Sequence, residues 1–128
     1  MVSRKLIETL FGDSATRSKV AFPLRAVYRQ QQRPEGAAPV QVLISVSKKH
    51  FHHAVDRNRT KRQLREAYRL HKSLLYDALS ADRQLLIAFV WLSSEHSPSR
   101  TVEHRMVNLL RRISEKLTLP STPLPEQP

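Results

Sequence analysis

Hydrophobic and polar positions alternate along the chain in patterns that predict a succession of short helices and strands. The first pattern lies between Ser3, a residue type that caps helices, and Gly12, a type that often ends them. Four apolar residues recur at helical spacing between these two: Leu6, Ile7, Leu10 and Phe11. We therefore expect a short amphipathic helix near the start of the chain.

Three later stretches have the pattern of β-strands. Residues 19–30 place four apolar side chains on one face: Phe22, Leu24, Ala26 and Tyr28. Pro23 lies within this stretch and cannot donate a backbone hydrogen bond, so it predicts an edge strand or a bulge. Residues 31–39 contain two prolines and a glycine and predict a loop. Residues 40–47 and 84–92 are rich in apolar residues, and the second of these strands is expected to be buried on both faces.

Two longer helices complete the pattern. A helical segment follows the basic run after the second strand and ends near Ser80. Its expected core face consists of five residues: Leu64, Ala67, His71, Leu75 and Ala78. Ser97 and Pro98 are suited to be the cap and first residue of a last helix. The apolar stripe of that helix has six members: Val102, Met106, Leu109, Leu110, Ile113 and Leu117.

The order of elements is therefore α-β-β-α-β-α, which predicts an α+β fold with a small sheet of three to four strands packed against helices. We expect one domain over residues 1–117. Residues 118–128 contain four prolines and predict a disordered tail.

Net charge is the property of the composition that indicates function. Lys and Arg number 22 against 11 Asp and Glu, which gives a formal charge of +11 and favours a polyanionic partner. The chain has no cysteine, which excludes disulfides and thiol catalysis and fits a cytoplasmic protein. Its two glycines leave no glycine-rich phosphate-binding loop. No apolar stretch reaches the roughly 20 residues of a membrane span, so no membrane partner is expected.

The excess charge is concentrated in residues 48–72. This segment has nine basic and two acidic residues, a net charge of +7, and begins with Lys48 and Lys49. Four of its cations recur every fourth residue and form one row on a helix: Arg57, Lys61, Arg65 and Arg69. Arg59 lies outside that row. Arg can hold phosphate oxygens through two hydrogen bonds and Lys contributes a point charge, so the row indicates binding to a nucleic-acid backbone.

The other polar groups do not form a recognisable reaction centre. His50, His52, His53 and His71 invite a metal-site interpretation, but their spacing is poor and no thiol accompanies them. The acidic residues are scattered, whereas a nuclease that held its own Mg²⁺ would need several together. We expect no catalytic residues and no metal ligands in the protein itself.

Two segments carry a family resemblance. VLISVSKK (residues 42–49) followed by AVDRNRTKRQLREAYR (residues 54–69) closely resembles the protein component of bacterial ribonuclease P. That family has a strand ending in Ser-Val-Ser-Lys-Lys and then an Arg-Asn-Arg-x-Lys-Arg-x-x-Arg-Glu helix, and here RNRTKRQLRE matches at each fixed position. The resemblance implies a fold of the ribosomal-protein type, with a left-handed crossover between parallel strands.

The resemblance also implies the roles of particular residues. The RNA-binding residues would be Lys48, Lys49, Arg57, Asn58, Arg59, Lys61, Arg62, Arg65 and Arg69. Among them, Arg57, Lys61 and Arg65 would face a cleft for the 5′ leader of precursor tRNA, and Arg59 and Arg62 would face the catalytic RNA. The cleft aromatics would be Phe11 on the first helix and, on the first strand, Phe22 or Tyr28, against which an extended single strand can stack.

The implied function is that of the protein subunit of ribonuclease P, the endonuclease that removes the 5′ leader of precursor tRNA. Its partners would be the ribonuclease P RNA and precursor tRNA, with the protein monomeric in the complex. Mg²⁺ would be bound mainly by the RNA. The alternative is a ribosomal-protein-like structural RNA-binding module of the same fold class.

Overall fold

The computed structural model describes residues 16–118, which form one mixed sheet and three helices. The strands are β1 (Arg17–Ala21), β2 (Leu24–Gln32), β3 (Val40–Ser45) and β4 (Arg83–Trp91). The helices are α1 (Ala54–His71), α2 (Ser73–Tyr76) and α3 (Ser99–Thr118). The helix predicted near the start of the chain and the tail beyond residue 118 lie outside the described residues. The division into a domain and a tail therefore stays a prediction.

The four strands lie in the order β1-β2-β4-β3. The pairs β1–β2 and β2–β4 are antiparallel, whereas β3 and β4 are parallel neighbours whose connection contains α1 and α2. This arrangement confirms the predicted α+β class and places β4 inside the sheet. The left-handed course of the β3-to-β4 crossover stays a prediction.

The prediction of a single strand over residues 19–30 is wrong, because these residues form a hairpin. Ala21 pairs with Leu24, and the turn between them consists of Phe22 and Pro23, joined by a cis peptide bond. Proline has no N–H for a strand ladder, and here it lies in the turn between two strands. The hairpin separates Phe22 from the buried β2 residues with which it was expected to share a face. β1 becomes one of the two edge strands, and β3 is the other.

Both long helices pack on the same face of the sheet. Leu24, Phe89 and Trp91 from the sheet meet Leu64 of α1 and Met106 of α3 in the main core, and each is at most 1% exposed. A smaller buried cluster lies on the opposite face of the sheet and contains Val27, Leu86, Ala88 and part of Leu43. β4 contributes to both clusters, which confirms its predicted burial on both faces.

The helix boundaries differ from the predicted ones by a few residues. The long basic helix ends at His71 and is followed by the single turn α2, so regular helix stops before Ser80. Helix α3 begins at Ser99, and the Val102 amide donates to the Pro98 carbonyl at 3.1 Å. Its predicted stripe is buried from Val102 to Ile113. Within residues 16–118, no helix has the length and apolar character needed to cross a membrane.

Candidate nucleic-acid interface

Helix α1 has a narrow buried stripe and two different flanks. Thr60, Leu64 and Ala67 form the stripe that packs on the core. One flank contacts α3 and the loop that precedes it, while the other faces the outer edge of β3. The flank next to α3 therefore fixes the helix in the fold, and the flank next to β3 exposes polar side chains.

The first flank fixes α1 to α3. Gln63 donates from Nε2 to the Ser97 carbonyl at 2.9 Å, and the His71 and Glu103 side chains are hydrogen-bonded at 2.7 Å. His71 was expected on the core face, but its side chain is 30% exposed because it reaches across to this carboxylate. These contacts set the direction in which the opposite flank points.

His96 anchors the beginning of α1. Its ring nitrogens hydrogen-bond with the Asp56 carboxylate and the Thr60 hydroxyl, each at 3.2 Å. The ring also stacks on Phe51, with centroids 4.5 Å apart. Phe51 is 7% exposed and belongs to the main core, so it anchors the linker between β3 and α1 (residues 46–53). The linker, the first turns of α1 and the loop before α3 are thereby held together.

Arg57, the first member of the predicted row, contacts the protein's own backbone. Its Nη1 donates to the carbonyls of Phe51 at 2.9 Å and His52 at 3.0 Å. The guanidinium therefore stabilises the turn that enters α1, which leaves fewer of its donors for a phosphate. The last member, Arg69, is also engaged, through two hydrogen bonds to Glu66 at 3.1 and 2.6 Å. That pairing holds the pKa of the Glu66 carboxyl below its usual value.

The middle of the row remains available. Arg65 is exposed and Lys61 is half-buried, and neither has a hydrogen bond or ion pair to another residue of the described 16–118 segment. Five other predicted RNA-binding residues are exposed: Lys48, Lys49, Asn58, Arg59 and Arg62. At about 100° per residue, Arg59 is turned roughly 120° around the helix from Arg65. The helix thus presents cations in two directions.

A groove of about 380 Å³ lies beside Arg65. It is lined by Arg65 and Tyr68 from α1 and by Val42, Leu43 and Ile44 from β3, the strand at the opposite sheet edge from β1. Burial and the neighbouring Tyr76 raise the pKa of the Tyr68 phenol, so it stays neutral over the physiological range. The groove combines an apolar floor, an aromatic ring and a cation that has no ion-pair partner in the described part of the chain, which suits an extended strand with a charged backbone.

Sequence reasoning missed Tyr68, although a signal was present. Tyr68 follows Arg65 by three residues and Lys61 by seven, so it lies on their side of the helix. The ring also packs against Phe89 in the core, with centroids 5.8 Å apart. Tyr68 is therefore both a partly buried side chain and part of the groove wall.

The structure does not bring the other predicted cleft aromatics to this groove. Tyr28 is 4% exposed and belongs to the main core. Phe22 is 64% exposed, but it lies in the β1–β2 turn. The groove lies at β3, and three strand spacings of about 4.8 Å put that edge roughly 14 Å from β1. Phe11 lies outside the described residues.

The histidines considered as metal ligands have other surroundings. His50 hydrogen-bonds with the Ser94 hydroxyl at 3.1 Å, and His52 and His53 are exposed. Among residues 16–118, no three His, Cys, Asp or Glu side chains lie close enough together to hold a metal ion.

Comparison with known proteins agrees with this architecture. The family model described as Ribonuclease P matches residues 1–114. A ribonuclease P protein component from Porphyromonas gingivalis is 47% identical over 113 residues, which cover 87% of this chain and 80% of that protein. The RNase P protein from Thermotoga maritima has the same fold, with a TM-score of 0.66, 22% identity and coverage of 88% of this chain and 94% of that one. The Staphylococcus aureus RNase P protein gives a TM-score of 0.64 at 18% identity, with 87% and 90% covered.

The fold and the cation row define a class of small, strongly basic α+β proteins with an open groove beside a helix. Within that class the assignment is specific, since the family model spans nearly the whole described segment. The chain belongs to the ribonuclease P protein family, the protein component of the bacterial ribonucleoprotein that matures tRNA 5′ ends. Membership implies association with ribonuclease P RNA.

Proposed function

We propose that this protein binds ribonuclease P RNA and the 5′ leader of precursor tRNA, and thereby assists removal of the leader. The observation that carries the proposal is the position of two cations, Lys61 and Arg65, on the flank of α1 that borders the β3 groove, since neither has a hydrogen-bond or ion-pair partner within residues 16–118. An extended leader in the groove would place its phosphates against these cations. Tyr68 would contact its bases or sugars from the groove wall.

The face of α1 that carries Arg59 and Arg62 is proposed to contact the catalytic RNA. Arg59 and Arg62 are exposed, and they lie farther around the helix from the β3 groove than Lys61 does. Phosphate contacts give affinity that does not depend on base sequence, which suits an enzyme with many precursor substrates. One rigid helix would then hold the leader in a fixed orientation relative to the catalytic RNA, and a fixed orientation lowers the entropy cost of reaching the cleavage geometry.

The chemistry is proposed to belong to the RNA and to Mg²⁺ bound mainly by its phosphates. The protein would act as a monomer and supply no nucleophile, general base or metal ligand. Its cations would offset repulsion between leader and RNA phosphates, which Mg²⁺ must otherwise screen. The protein should therefore matter most when Mg²⁺ is scarce.

The test is precursor-tRNA cleavage at low Mg²⁺ by a bacterial ribonuclease P RNA, with and without the protein. Strong stimulation, together with no cleavage by rigorously RNA-free protein, supports the proposal. Tight RNA binding with unchanged cleavage would favour a ribosomal-type RNA-binding module instead. Cleavage by protein alone that EDTA abolishes would place a metal-dependent active site in the protein.

A further inference from the structure

A second group of cations lies at the other edge of the sheet, away from the α1 row. Helix α3 carries Arg105, Arg112 and Lys116 at spacings of seven and four residues, so they form one line along the helix. This line spans about 16 Å at 1.5 Å per residue. It borders β1, the edge strand that supplies Arg17 and Lys19. We call these five residues the β1–α3 basic surface.

Two hydrogen bonds show how this surface is assembled. Arg112 donates from Nη1 to the Val20 carbonyl at 2.9 Å, and Arg105 donates from Nε to the Phe22 carbonyl at 2.9 Å. The two arginines therefore reach from α3 to the edge strand and bring the two sets of cations together. Each guanidinium has five N–H donors, so donors remain for a further ligand.

Arg105 and Arg112 cover carbonyls of the edge strand β1, but this role does not explain the other three cations of the β1–α3 basic surface. The side chains of Arg17, Lys19 and Lys116 make no hydrogen bond to another residue within the described 16–118 segment. Burial lowers the pKa of the Lys19 amine, and the charges of Lys116 and Arg112 lower it further. Arg17 acts in the same direction. These like charges repel one another in the free protein, and such a cost is expected where a surface awaits an oppositely charged ligand.

Within residues 16–118, no acidic residue lies in this line itself. β1 contains none, and α3 contains two, Glu103 and Glu115. Glu103 is bonded to His71 on the α1 side of the helix. At 100° per residue, Glu115 is turned about 60° from Arg112 and about 100° from Lys116, toward the outer face, so it borders the line without lying on it. The side of α3 next to β1 is therefore positive along its length, and Phe22, 64% exposed, adds an aromatic ring at one end.

We propose that the β1–α3 basic surface is a second RNA-binding site, which holds the phosphate backbone of a segment of ribonuclease P RNA different from the one held by α1. This inference rests on the proposed RNA-binding function and adds a second contact to it. Adjacent helices lie 8–10 Å apart, and their outer flanks add roughly another 10 Å. Separate RNA segments can therefore occupy the two flanks at once, and the protein would act as a bridge between them.

The test compares two double variants that remove the same amount of charge. Lys19→Gln with Lys116→Gln changes the proposed surface and leaves the two arginine–carbonyl bonds intact. Arg100→Gln with Arg111→Gln is the control, because both side chains are exposed on the same helix, more than 100° around it from the Arg105 line. The probe is the Porphyromonas gingivalis ribonuclease P RNA. Its affinity is measured over a series of KCl concentrations, and its protected nucleotides are mapped by hydroxyl-radical footprinting.

The expected result is specific to the surface. Loss of two phosphate contacts should reduce the slope of log affinity against log salt by about 1.4 to 1.8, with a much smaller change for the control. One protected RNA segment should disappear, while the segment lost in Lys61→Gln with Arg65→Gln should remain. The melting temperature of the free variant should not fall, because repulsion is relieved.

A different result would overturn the inference. Equal slopes and identical footprints in the Lys19/Lys116 variant and the Arg100/Arg111 control would show that only overall charge matters at this surface. If the Lys61/Arg65 variant still lost its own segment, the proposed function would stand without the second site. If neither surface variant changed RNA binding, the proposed function itself would fail.

Discussion

His96 connects three segments of the chain, so its removal is an informative perturbation. Its ring bonds to Asp56 and Thr60 in α1 and stacks on Phe51 of the linker. His96→Ala deletes all three contacts without inserting a group that can clash. We expect a less stable protein whose α1 is less firmly held at its beginning.

The size of the effect can be worked out from these contacts. Each hydrogen bond contributes about 1 kcal/mol net, and a stacked ring pair contributes about 0.5–1.5 kcal/mol. The His96 and Asp56 side chains are 24% and 39% exposed, so water replaces part of their bond. Thr60 is completely buried, and its hydroxyl loses its partner. The free energy of unfolding should fall by about 2–3 kcal/mol, and Tm by roughly 8–12 °C for a chain of this length.

The assay is thermal unfolding followed by circular dichroism at constant pH, with His104→Ala as the control. His104 is also a histidine on an ordered segment, but it is exposed on α3. The control should leave Tm nearly unchanged. A His96→Ala protein whose Tm lay within about 2 °C of the control would refute the anchoring role, since even one lost hydrogen bond should exceed that difference.

Three further predictions concern the groove, the core and the response to pH. Lys61→Gln and Arg65→Gln should each flatten the salt dependence of leader binding by about 0.7–0.9 without lowering Tm, and unchanged slopes would mean that neither side chain contacts a phosphate. Leu64→Ala and Leu75→Ala should each cost about 2–5 kcal/mol in urea unfolding, because both side chains are fully buried. The pKa of Tyr68 is raised in the folded state, so its stabilising contribution is complete below the unfolded value near 10 and is lost as pH rises above it. Tyr68→Phe should therefore show a weaker loss of stability between about pH 9 and 11 than the parent, and equal losses would contradict this.

Helices and strands whose apolar residues follow one unambiguous pattern were predictable from the sequence. The last helix has a stripe at helical spacing over sixteen residues, and its members are buried from Val102 to Ile113. β4 is a nearly unbroken apolar run, which predicts a strand inside a sheet with both faces covered. In both cases burial alone selects the structure, so no long-range information was needed.

The hairpin was not predictable in the same way. Its turn is Phe22–Pro23, without the Asn-Gly or Asp-Gly signal that marks a tight turn. Alternation continues across the turn, so one long strand and two short strands give the same pattern. The pairing of Arg17 with Tyr28 resolves the ambiguity, and that contact is decided by tertiary structure.

The position of the candidate site was predictable from the sequence, but which of its cations are bonded within the protein was not. Spacing alone puts Arg57, Lys61, Arg65 and Arg69 in one row. Whether a cation has a hydrogen-bond partner depends on the segments that pack beside it in the fold. The linker carbonyls accept hydrogen bonds from Arg57 because the linker lies next to the start of α1. The Arg69 pair could have been expected, since Glu66 precedes it by three residues on the same helix.

Two acidic residues on the long helices lie at the contacts of α1 with α3 or the loop before α3, and not on the flank that carries Lys61 and Arg65. Asp56 bonds to His96 and Glu103 bonds to His71, and both bonds join α1 to α3 or to the loop before it. Lys61 and Arg65 lie on the flank of α1 that faces away from these carboxylates. In a chain with twice as many basic as acidic residues, carboxylates used for internal bonds are not available to neutralise the binding flank. The same pairings that stabilise the helices therefore leave the groove side of α1 positive, which is the charge that the proposed binding of an RNA leader requires.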